Sequence, residues 1–125
     1  MQDSSLLIQQ LDTHNIQAFM DFVSHFDPNG DADYYERCVE RHKDKSLVVI
    51  MGLLDETIIG FCLLNTQPKY GYFQKCNLPE IQDLNVLSQY RRHGYGQALV
   101  QYCEDLAQRL GYSEMGIGVG LDYTF

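Results

Sequence analysis

The sequence has no apolar run near the roughly 20 residues that cross a bilayer, so it predicts no membrane span. Its start, Met1-Gln2-Asp3-Ser4-Ser5, lacks the basic residues and long apolar stretch of a secretory leader, and the expectation is a cytoplasmic protein. The four cysteines, Cys38, Cys62, Cys76 and Cys103, form no C-x-x-C pair, which removes the usual spacing of a zinc knuckle or redox motif. Cys62 and Cys103 fall at apolar positions of an expected strand and helix and read as buried thiols. Cys76, beside Lys75 in an expected loop, is the one open to reaction. Basic residues are also scarce, nine Lys and Arg against seventeen Asp and Glu, for a net charge of −8. That balance argues against nucleic acid, whose binders cluster Lys and Arg. Repeats and low-complexity stretches are missing as well, so residues 1–125 read as one domain around one core.

What the chain does contain is a regular succession of amphipathic segments. Residues 6–11 read as a strand ending at Asp12-Thr13, either of which could cap a helix. Ile16, Phe19, Met20 and Val23 recur at helical spacing, and the segment 27–31 (DPNGD) signals a turn. A second helix is expected over 33–45, with Tyr34, Tyr35, Cys38 and Val39 on one face. Two apolar runs, 47–51 and 58–64, are joined by Asp55-Glu56-Thr57, which predicts an antiparallel hairpin inside a sheet. The loop over 68–79 carries Tyr70, Tyr72 and Phe73, which either line a substrate mouth or cover the sheet. Residues 81–86 alternate apolar and polar, as a half-buried strand does. A last helix follows, with Leu99, Cys103, Leu106 and Leu110 as its apolar face, widened by Val100 and Ala107 and closed by Gly111. Ile117 and Val119 predict a short glycine-interrupted strand.

The informative unit is the turn between that strand and that helix. The first-turn amides of a helix lack intrahelical acceptors and lie at the positive end of its dipole. Gly94 and Gly96 leave room for an anion to approach the main chain, and Arg91, Arg92 and His93 add charge beside it. This describes a pyrophosphate cradle, a local positive spot suited to a small anionic ligand. A P-loop is excluded, because no Gly-Lys pair precedes Ser or Thr. A dinucleotide fingerprint fits poorly: Gly94-Tyr95-Gly96-Gln97-Ala98-Leu99 puts leucine at the third site, although Glu114 falls where the ribose acid should. That fingerprint also opens a parallel strand–helix–strand unit, whereas here hairpin-like strands precede the turn. The pattern [Q/R]-x-x-G-x-[G/A] is matched in full by Arg91-Arg92-His93-Gly94-Tyr95-Gly96.

This motif resembles the acetyl-CoA signature of the GNAT superfamily of N-acetyltransferases, and the likeness covers about 110 residues. Residues 79–86 look like the family's fourth strand, Ser88-Gln89-Tyr90 like its link to the pyrophosphate loop, and 116–121 like the fifth strand of bacterial members. The resemblance implies an α/β fold, an α+β mixed sheet of the acyl-CoA N-acyltransferase type. It implies acetyl-CoA as co-substrate with no metal, and direct acetyl transfer to the primary amine of a small molecule or peptide. The main chain at Leu84, Asn85 and Val86 would bond the pantetheine arm as an added strand would. Amides of Arg92, His93, Gly94, Tyr95, Gly96, Gln97 and Ala98 would hold the pyrophosphate. Family bases lie on or just before the fourth strand, which points to Glu80 and to Asp83, with Glu80 preferred. A strand amide, that of Val86, would stabilise the developing oxyanion.

The sequence departs from the family at its end. Members continue past a stretch like Asp122-Tyr123 into a further helix and two strands, which supply a tyrosine acid, and Tyr123 comes too early to match it. The expectation is a fold truncated after the fifth strand, whose bare edge would drive homo-oligomer formation. That departure keeps a non-catalytic acyl-CoA-binding or regulatory domain open as the alternative, and a plain interaction module behind it.

Overall fold

The structure is a computed structural model that describes residues 5–67 and 78–117. The aromatic loop residues Tyr70, Tyr72 and Phe73, together with Cys76, Val119 and Tyr123, lie outside the described residues, as does the expected strand beyond Ile117. Strands β1 (Leu7–Gln10), β2 (Leu47–Leu54), β3 (Thr57–Asn65), β4 (Glu80–Val86) and β5 (Gly116–Ile117) form one sheet in that order. The first four pair antiparallel. β5 joins β4 in parallel, so the helix between them, α3 (Tyr95–Arg109), is a crossover.

Helices α1 (Ile16–Phe26) and α2 (Ala32–Lys43) cover one face of the sheet and α3 covers the other. Burial on both faces explains why β2 and β3 read as unbroken apolar runs. Along β2, Leu47, Val49 and Met51 join the core under α1 and α2, while Val48, Ile50 and Leu54 join the core under α3. The first core is built around Phe61, which Phe19, Phe22, Phe26 and Tyr35 meet edge to face with ring centroids 5.5 to 6.3 Å away.

Local chemistry sets the element ends. Asp12 Oδ1 accepts the amides of His14 and Asn15 at 2.7 and 3.1 Å, a side-chain turn that delays α1 to Ile16, beyond the expected cap. Asp31 caps α2 by accepting the Asp33 amide at 2.9 Å. The β2–β3 hairpin turns on two residues, Asp55 and Glu56, at φ 49° and 68°. Left-handed backbone at both central positions matches the twist of the flanking strands. α3 ends in a Schellman motif: Gly111 sits at φ 97°, its amide bonds Gln108 O at 3.0 Å, and the Tyr112 amide bonds Ala107 O at 2.9 Å. Leu110, expected on the apolar face, lies at this helix end and is 52% exposed.

Candidate active site

β4 changes character halfway along its length. Its register with β3 slips between Phe61 and Leu63, so Asp83 and Leu84 share the place opposite Cys62. This is a bulge, and Asp83 occupies it in left-handed backbone at φ 54°. A non-glycine residue there costs roughly 1–2 kcal/mol, and Asp is among the few that visit the region readily. The bulge sends Leu84 and Val86 into the α3 core, while Asp83 reaches α2 on the opposite face. Among the described residues β5 pairs with Glu80 and Ile81 and with nothing at Leu84, Asn85 and Val86 along the same edge of β4. The Leu87 amide crosses to Ile59 O on β3 at 2.8 Å. Strand alternation therefore turns the Val86 N–H to that other edge.

Beyond β4 a 3₁₀ turn at Ser88–Tyr90 leads into the basic loop. Arg91 does not offer its whole guanidinium to an anion, since its Nε donates to Val86 O at 2.9 Å and braces the strand end. Arg92 is exposed, with φ 67°. Gly94, at φ 84° and ψ 6°, is the residue from which α3 starts, and its left-handed backbone is what demands glycine. The first helix amide with a helical acceptor is that of Ala98, to Gly94 O at 3.0 Å, so those of Tyr95, Gly96 and Gln97 precede the ladder. His93 Nδ1 lies 3.1 and 2.9 Å from the carbonyls of Tyr90 and Arg91, and a carbonyl only accepts, so this nitrogen carries the proton. The imidazole stacks on Tyr95 at 5.6 Å. His93 thus shapes the loop as well as adding to it.

The hairpin-like strands before the turn suggested that no parallel unit surrounds the cradle, and the fold differs. The cradle does sit in a parallel strand–helix–strand unit, β4–α3–β5. What separates it from a dinucleotide fingerprint is β4's antiparallel pairing with β3, together with Leu99. Leu99 is fully buried in the α3 core, where the fingerprint places a glycine for close helix–strand packing.

The two carboxylates part company. Glu80 is fully buried; its Oε1 accepts from the Gln82 amide, while Oε2 has no partner among the described residues. Asp83 is exposed and accepts from the Tyr34 hydroxyl at 2.5 Å. Burial, followed by this carboxylate, holds the Tyr34 phenol far above its ordinary range, so it stays a donor. Tyr35 is pushed up to about 12 by burial and by the Asp27 and Asp83 charges. Cys38 rises to about 11, chiefly by burial. The sequence marked Tyr34 only as part of a helix face, and no motif ties it to a strand 49 residues away.

The sequence matches the family model of the acetyltransferase (GNAT) family over residues 11–124. The chain belongs to that family. Its reaction class is acetyl-CoA-dependent N-acetyl transfer, and its mixed sheet is the fold of that class. Similar solved structures include the aminoglycoside N-acetyltransferase AAC(6')-Iy in complex with a CoA-containing bisubstrate analogue, at 16% identity and a TM-score of 0.80, covering 95% of this chain and 82% of that one. AAC(6')-Ih from Acinetobacter baumannii, an aminoglycoside 6'-N-acetyltransferase, shows 16% identity and a TM-score of 0.76, covering 94% and 82%. A ribosomal-protein-alanine N-acetyltransferase from Brucella melitensis biovar Abortus 2308 shows 17% identity and a TM-score of 0.72, with 94% and 82% covered. No curated protein matches the sequence. Among the described residues of this acetyltransferase, no helix is long and apolar enough to cross a membrane.

Proposed function

We propose that this acetyltransferase moves the acetyl group of acetyl-CoA directly to a primary amine, with Glu80 as general base. The observation that carries the reading is the start of α3, where Gly94 and Arg92 in left-handed backbone lead into three first-turn amides beside the end of β4. Pyrophosphate is held there by main-chain N–H groups and by the positive end of the helix dipole. The pantetheine arm runs along the edge of β4 at Leu84, Asn85 and Val86, hydrogen-bonding as an added strand does. The Val86 N–H faces that edge and donates to the thioester oxygen as negative charge develops on it.

The attacking amine must be neutral. Glu80 takes its proton through a water, and an Oε2 with no partner among the described residues supports this role, since a buried acceptor ordinarily has a donor. Relatives named for aminoglycoside and for ribosomal-protein alanine acetylation support small-molecule and peptide amines as the acceptors to try.

Calorimetry with acetyl-CoA, followed by a thiol-release assay over an amine panel, tests the reading. Glu80→Gln is expected to lower kcat at neutral pH by roughly 10²- to 10⁴-fold with CoA affinity retained. CoA binding with an undiminished kcat in this variant removes Glu80 from the role.

A further inference from the structure

Asp83 has the marks of a residue kept for something outside the chain. Its carboxylate is exposed on a strained bulge, and the described ion pairs, Arg37 with Asp31 and Lys43 with Glu40, do not include it. Its side-chain partner is the Tyr34 hydroxyl at 2.5 Å. A phenol gives one proton, whereas a carboxylate offers about four acceptor positions, so among the described residues most of its capacity stays open. Tyr34 is itself held: its ring meets Tyr35 edge to face at 5.2 Å, and Tyr35 packs on Phe19 and Phe61 in the first core. The phenol is therefore a rigid post from α2 that fixes the carboxylate on β4. A second feature of the same strand lacks a donor among the described residues. Asn65, paired with Glu80, accepts from Arg41 of α2, which places Glu80 on the α2 face too, and Glu80 carries the unpartnered buried oxygen.

We propose that Tyr34 is a positioning residue which holds Asp83 as the anchor for a second cationic group of the acceptor, making diamines and polyamines preferred over monoamines. This rests on the acetyl-transfer reading. Asp83 is less suited than Glu80 to take the attacking nitrogen's proton, because it is exposed and already accepts from the Tyr34 hydroxyl, whereas Glu80 keeps a buried oxygen with no partner among the described residues. Asp83 suits an ammonium that is not reacting. Glu80 lies three residues upstream, about 10 Å by the rise of a strand, so the two carboxylates serve different nitrogens of one extended acceptor. The net charge of −8 adds a field that favours such a substrate.

Cadaverine and n-pentylamine differ by one terminal ammonium and serve as the probe pair. Rates at saturating acetyl-CoA give the ratio of kcat/KM between them for the parent, Asp83→Asn and Tyr34→Phe. Asn also tolerates left-handed backbone, so Asp83→Asn keeps the bulge. The parent is expected to prefer cadaverine. Asp83→Asn should cut that preference about fivefold through KM, the upper range for an exposed ion pair. Tyr34→Phe should cut it two- to threefold, roughly, because the anchor remains but is no longer held. Calorimetry of cadaverine on the CoA-loaded protein should show the same order of affinities. A preference unchanged in both variants, or an equal fall in kcat for both amines, overturns the proposal. Calorimetry with CoA alone separates the two readings: no CoA binding sinks acetyl transfer, whereas CoA binding with no preference for cadaverine sinks only the anchor.

Discussion

Gly60 and Val86 face each other across β3 and β4 with no space for a side chain between them. A Cβ at Gly60 would fall inside the van der Waals shell of Asn85 O and lie 3.1 Å from Val86 Cα. The atoms in the way are backbone, and they belong to the stretch whose far edge is assigned to the pantetheine arm. Gly60→Ala is therefore expected to push the end of β4 outward. Overpacking of this kind costs about 1–3 kcal/mol, read as a lower urea midpoint, and the displaced edge should also weaken acetyl-CoA binding by calorimetry. A variant of parental stability and affinity would show that β4 yields freely here.

At Gly94 the constraint is conformation and not space. Among the described residues nothing lies within 4 Å of where a Cβ would point, yet φ is 84°. Two substitutions separate the needs of the turn from those of an anion. Gly94→Ala should cost about 1–2 kcal/mol, the strain of left-handed backbone. Gly94→Asn suits that backbone better and should recover most of the stability. If the turn serves an anion, Asn still crowds the approach, and CoA affinity stays reduced by about tenfold, or 1.4 kcal/mol. Full recovery of affinity with Asn would reduce Gly94 to a turn residue.

The parts legible in the sequence were those written in neighbouring residues. The hairpin over Asp55 and Glu56, the amphipathic faces of the three helices and the loop at Gly94 all follow from periodicity or from consecutive residues. What stayed hidden depends on distant pairing. The bulge at Asp83 exists only relative to β3, since the alternation of 81–86 carries no sign that two residues will oppose Cys62. The parallel β4–β5 crossover depends on where the chain returns after α3. Arg91 looked like an anion contact because its charge falls beside the first-turn amides of α3, yet its Nε is turned to Val86 O. Tyr34 meets Asp83 because α2 lies across the bulge, a packing fact with no sequence period.

The sulfurs of Cys62 on β3 and Cys103 on α3 lie 3.5 Å apart in the α3 core. Both residues are fully buried, as the sequence suggested, and the neighbouring thiol together with burial raises Cys62 well above its ordinary range. The thiolate is the reactive form, so neither should be alkylated in the folded protein. Iodoacetamide at pH 8 followed by peptide mass spectrometry should leave Cys62 and Cys103 unlabelled in buffer and labelled in urea. Rapid native labelling of either would mean that α3 leaves the sheet more often than its packing implies.

His42 ties α2 to the sheet. Its Nε2 lies 2.8 Å from Leu11 O and its Nδ1 receives the Val49 amide at 3.0 Å. The first contact needs a proton on Nε2 and the second a bare Nδ1, so the folded protein holds one neutral tautomer. Protonation would put a donor where Val49 already donates. Burial, the largest cause, lowers the pKa of His42 below its ordinary 6.5. In the window between that lowered value and 6.5 the unfolded chain binds the proton and the folded one resists it, so stability rises with pH. The contribution is complete above 6.5 and is lost as pH falls toward the folded value. Thermal melts should therefore decline from pH 7.5 to pH 5, beginning just below 7. His42→Leu should cost about 1–3 kcal/mol at pH 7.5, the usual penalty for a stranded buried donor or acceptor, because it strands both Leu11 O and the Val49 N–H. It should also flatten the decline in that window. A parent and variant whose midpoints fall in parallel between pH 7.5 and pH 5 would move the acid sensitivity to other groups.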